Sequence, residues 1–74
     1  MIEDYIEAEK YLKRAVELMP DDPIVNDHYG DILWKLDRKI QARYFWNNVL
    51  SFEDTDGDLK KKINTKIIEG LKSS

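Results

Sequence analysis

The stretch that decides the fold runs from residue 23 to residue 56: PIVNDHYGDILWKLDRKIQARYFWNNVLSFEDTD. Its first half carries apolar residues at Val25, Tyr29, Ile32, Leu33 and Leu36, steps of three and four that trace one face of a helix. Asp22 and Pro23 supply the start, as N-cap and first helical residue, so the spacing predicts a helix from about Pro23 to about Leu36. Asp37 breaks the pattern, and a second helix is predicted from about Arg38 to Ser51 on Ile40, Ala42, Tyr44, Phe45, Trp46, Val49 and Leu50. So short a connection leaves only an antiparallel helical hairpin. Gly30 sits inside the first of these helices. A mid-helix glycine costs about 1 kcal/mol against alanine, which points to a neighbour packed too closely for a side chain.

Upstream, Tyr5, Ala8, Leu12, Ala15 and Met19 mark another helical face, widened by Ile6, Val16 and Leu18 and stopped by Pro20. Downstream, residues 53–58 hold no apolar side chain and read as a loop, with Asp56 or Asp58 available as a cap. Leu59, Ile63, Ile67 and Leu71 then recur every four residues with Ile68 beside them, a fourth helix whose remaining face is lysine and whose last residues, Ser73 and Ser74, fray. Strands are not indicated, because every candidate run fits the helical period better. The chain is therefore expected to be all-α, a single domain of four helices.

The first and third helices echo each other. Ala8, Leu12, Ala15 and Pro20 are followed 34 residues later by Ala42, Trp46, Val49 and Asp54, a period characteristic of helix-turn-helix repeats. On these residues the chain resembles the tetratricopeptide repeat family. Tyr29-Gly30 stands at the large-small pair of the repeat's first helix, with Ala42, Trp46 and Val49 at the small, aromatic and small positions of its second. The resemblance implies antiparallel hairpins stacked as a right-handed solenoid: residues 1–22 as the second helix of a truncated repeat, 23–56 as a complete repeat, and 57–74 as a C-terminal capping helix. Departures fall at Asn26, where a large apolar residue is typical, at Asp37 in place of a helix-linking glycine, and at Asp54 in place of the second proline. The run Asn26–Asp31 followed by Leu33-Trp34 is similar to repeats common in bacterial members.

Composition narrows the function classes. Seventy-four residues, a net charge of −3 and no cysteine exclude thiolate chemistry and disulfides, and leave little room for a deep active site. No segment approaches the roughly 18 apolar residues of a membrane span, and Met1-Ile2-Glu3-Asp4 is acidic where a signal peptide is basic, so the expected location is the cytoplasm if the chain is complete. Charge is polarised, −4 over residues 1–22 and +3 over residues 57–74, without the basic stripe of a nucleic-acid binder.

His28 lies beside Asp27 and one turn before Asp31, but no serine or threonine stands near it to complete a catalytic set. Asp54-Thr55-Asp56-Gly57-Asp58 starts like a calcium loop, then fails: its glycine is misplaced, and Thr65 stands where the bidentate glutamate belongs. Lys60, Lys61, Lys62, Lys66 and Lys72 read as the solvated side of a terminal helix. The expectation is a non-enzyme, with no cofactor, no metal, and neither nucleic acid nor membrane as partner.

The family resemblance implies a protein-interaction scaffold with a concave groove, lined here by Ile24, Asp27, Asp31, Trp34 and Lys35. The chaperone-binding members grip a peptide carboxylate with lysine and asparagine where this chain has Asp27 and Asp31, so a cationic or neutral protein segment anchored on Trp34 is expected instead. The alternative is self-assembly, as a dimer or head to tail, through Tyr5, Tyr11 and Leu12 on the first helix.

Overall fold

The computed structural model describes residues 2–71, and within them every regular element is an α-helix. The four are α1 (Ile2–Leu18), α2 (Pro23–Lys35), α3 (Lys39–Ser51) and α4 (Gly57–Glu69). Helix α4 begins 34 residues after α2 and has the same length of 13 residues, so the spacing of the elements keeps the period seen in the sequence. The expected fraying of Ser73 and Ser74 lies outside the described residues.

The helix ends follow from local chemistry. The Val25 amide donates to the Asp22 side chain at 3.0 Å, and Pro23 occupies the first turn, where its missing N–H costs nothing. Asn26 is buried, and its amide group donates to the carbonyl oxygens of Pro20 at 3.0 Å and Asp22 at 2.8 Å, tying the α1–α2 turn to the start of α2. The family resemblance leads to a large apolar residue here, whereas the amide of Asn26 satisfies turn carbonyls that burial would otherwise orphan.

Asp37 has φ of 64°, and the Arg38 and Asp37 amides donate back to the carbonyls of Leu33 and Trp34, both at 2.9 Å. Asp37 thus takes the left-handed position of a helix-closing turn that glycine usually fills. After α3, the buried Thr55 donates its hydroxyl to the Val49 carbonyl at 2.7 Å. Asp56 holds the N-cap position of α4, but its side chain makes no capping bond. Helix α4 ends at Glu69, earlier than the apolar spacing suggests, and Leu71 packs on the core from beyond its end.

Each helix packs on its neighbour in sequence, α2 and α3 most extensively. The core is Tyr29 and Leu33 from α2, Ala42, Trp46 and Val49 from α3, and Ile63 from α4. None of the residues of α1 is fully buried; Leu12 and Val16 pack on the core from its edge. At Gly30 an added Cβ would fall on the Trp46 ring, 2.5 Å from Cδ1. This is the close approach that the mid-helix glycine implied. Gly30→Leu is accordingly expected to destabilise the chain by about 1 to 3 kcal/mol through overpacking. A denaturation midpoint equal to that of the native sequence would remove this role from Gly30.

Candidate partner-binding face

Asp27 and Asp31 lie one turn apart on α2, so both carboxylates leave the same side of the helix. The cation they attract belongs to the same chain. Lys66 of α4 places its ammonium 2.7 Å from Asp27 Oδ1 and 2.9 Å and 3.1 Å from the two oxygens of Asp31, while Trp46 Nε1–H donates to Asp31 Oδ1 at 3.1 Å. Asp27 is buried, and both Asp31 and Lys66 are largely covered. Burial raises the Asp31 carboxyl above its ordinary range, against the pull of Lys66. For Lys66, burial acts downward, but the bonds to two carboxylates outweigh it and hold the ammonium above its ordinary value.

Trp34 faces the same way. Its ring stacks on Trp46 at 5.5 Å between centroids, and Gly70, at φ of 74°, leaves space for it beneath the end of α4. Lys39 and Arg43 each lie 5.0 Å from the Trp34 ring centroid, and Arg43 Nε–H donates to the Ile67 carbonyl at 3.2 Å. Three of the five expected groove residues, Asp27, Asp31 and Trp34, are therefore brought together, and what they hold is α4. The other two are exposed: Ile24 near the start of α2, and Lys35, whose ammonium lies 5.3 Å over the Tyr5 ring of α1.

Lys66, Trp46 and Gly70 are the members of this arrangement that sequence reasoning placed elsewhere or passed over. The available signal was the pair of carboxylates four residues apart with a lysine beside the apolar stripe of α4.

A recess open to solvent lies on the adjacent side of α2, toward α1. Leu12 of α1 and His28, Asp31, Ile32 and Lys35 of α2 line a shallow recess of about 270 Å³. Of the three residues expected in self-association, Leu12 lines this recess, Tyr5 is half-covered under Lys35, and Tyr11 is 78% exposed. Leu18 is exposed on the same flank of α1 as Tyr11, two turns on. No family model, curated protein or solved structure matches this chain.

Tyr29 closes the α1 side of the core. Its hydroxyl donates to Glu9 Oε2 at 2.8 Å, and its ring meets Phe45 edge-on at 4.7 Å. Burial, then the bond to the Glu9 carboxylate, push the hydroxyl up from 10.0 to about 12. A raised folded-state value means the neutral form is favoured in the fold. Its contribution is complete below pH 10.0 and is lost as pH rises through about 12. Tyr29→Phe is expected to flatten that part of the alkaline limb in denaturation midpoints measured against pH.

Among the described residues, no group of three His, Asp or Glu side chains is placed to hold a metal ion, and no helix is long and apolar enough to cross a membrane.

Proposed function

We propose that the chain is a non-catalytic protein-interaction module built as a tetratricopeptide-type solenoid, and that it takes a helical segment of a protein partner on the open face of α1 and its recess with α2. The observation that carries this reading is a comparison within the molecule. Trp46, Val49 and Ala42 of α3 are completely buried, whereas Leu12, Ala15 and Ala8, 34 residues earlier on α1, are only partly covered. Phe45 is half-covered against Tyr29, and its counterpart Tyr11 is open. The face that α3 gives to α2 is thus repeated on α1, with apolar and small residues in the same places, as a helix-binding surface requires.

Charge gives the partner its sign. Helix α1 carries five acids and three bases, so a segment with an apolar stripe and a basic border is favoured over an acidic one.

Titration of isotope-labelled chain with synthetic amphipathic helices, one basic and one acidic, tests the proposal. The basic helix is expected to shift amide resonances of Tyr11, Leu12, His28, Ile32 and Lys35, with weaker effects from the acidic one. Shifts confined to α3 and α4, or none at all with either peptide, would refute it.

A further inference from the structure

Within the reading of α1 as an interaction face, the molecule also carries the surface that fits it. On α2, the residues in contact with Trp46 of α3 include Gly30, Asp31 and Trp34. Thirty-four residues later on α4 stand Asn64, Thr65 and Ile68, all exposed, Ile68 by 78%. Thirty-four residues before Trp46 stands Leu12, half-covered at the recess. Helix α4 thus has the face of an α2-like element exposed at Asn64, Thr65 and Ile68, and α1 has the face of an α3-like element only partly covered.

The two faces match in size and charge. Where α2 and α3 set the smallest residue, Gly30, against the largest, Trp46, the corresponding pair is Asn64 and Leu12. The larger residue on one side is offset by the smaller on the other. Helix α4 carries four lysines and two acids, and α1 five acids and three bases. With Lys66 set aside, because Asp27 and Asp31 of the same chain already hold it, the sums are +1 and −2 and remain opposite. Lys61 and Lys62 are exposed on α4, as are Glu3, Glu7 and Glu17 on α1.

We infer that the occupant of the α1 face is α4 of a second copy of this chain, so that copies join head to tail and continue the 34-residue period from one molecule into the next. Such a contact is heterologous: each copy offers α4 to one neighbour and α1 to another, and nothing in the contact limits its growth to two.

That asymmetry makes the inference testable with two variants at exposed positions, Tyr11→Glu on α1 and Ile68→Glu on α4, each first checked for helicity by circular dichroism. Sedimentation velocity of the unaltered chain, from micromolar to millimolar concentration at low salt, is expected to show a mass that rises beyond two chains and falls back as salt is added. Each variant alone is expected to remain monomeric. Mixed in equal amounts they should form a dimer and stop there, because the intact α4 of one meets the intact α1 of the other.

An unaltered chain that stays monomeric throughout overturns the inference. So does a species that stops at two chains and is indifferent to Ile68→Glu, since that is a symmetric α1 dimer. In either case, resonance shifts from the basic peptide at Leu12 and Ile32 would leave the interaction reading of α1 standing. Their absence would remove both.

Discussion

Trp46→Ala is expected to lower stability by about 3 to 5 kcal/mol, the range for truncating a fully buried tryptophan. A chain of 74 residues has a total of only about 4 to 11 kcal/mol at ordinary stabilities per residue, so between about a quarter and all of it would be lost. The indole is completely buried, stacks on Trp34, donates to Asp31, lies against Gly30 and has the Lys66 ammonium 5.9 Å from its centroid. Removing it opens a cavity and takes from Asp31 one of the donors that compensate its burial. Trp46→Phe should cost less, since a ring remains while the N–H is lost.

Because Gly30 is glycine on account of this ring, the two positions must couple. Gly30→Ala should destabilise the native sequence yet be tolerated beside Trp46→Ala, a non-additivity read from a double-mutant cycle by urea denaturation. Additive effects would show that Gly30 and Trp46 do not constrain each other.

The same pair shows what was legible in advance. A glycine inside a strong helical pattern and a tryptophan in the next helix are local signals, and the hairpin that joins them spans few residues. Asp22, Pro23 and Pro20 likewise marked helix ends through chemistry that acts within one turn. Lys66 was not legible in this way. It lies 39 residues from Asp27 and 35 from Asp31, in a helix whose other lysines are largely solvated, and periodicity alone cannot say which lysine turns inward. Asp27 and Asp31 read as a lure for an outside cation because a sequence shows the charge of a helix face without showing what packs on it. Asn26 and Asp37, which did not fit the family resemblance, have reasons visible only in the backbone: turn carbonyls to satisfy, and a left-handed residue to supply.

Lys66→Met tests the inward lysine directly. Methionine keeps much of the apolar stem, so the change removes the ammonium more than the packing. The two carboxylates on α2 are then left together, one buried and one largely covered, and the expected loss near neutral pH is about 3 kcal/mol, the lower end for breaking a buried pair. An exposed ion pair would contribute less than about 1 kcal/mol.

The pH dependence separates this cause from a packing defect. Lys66 has a raised value in the fold, so its contribution is fully present below its unfolded value of 10.5 and is lost as pH rises through the folded value. Asp31 is raised from 3.8 and is the group that takes up a proton more readily in the fold, so acidification relieves the cost of leaving it without its cation. The deficit of Lys66→Met relative to the native sequence should therefore be greatest around neutrality, shrinking in acid as Asp31 is neutralised and in strong alkali as the native lysine loses its charge. Urea denaturation midpoints across the pH range measure it. A deficit that is small and flat with pH would place Lys66 among the solvated lysines of α4 and leave the Asp27–Asp31 pair without its internal partner.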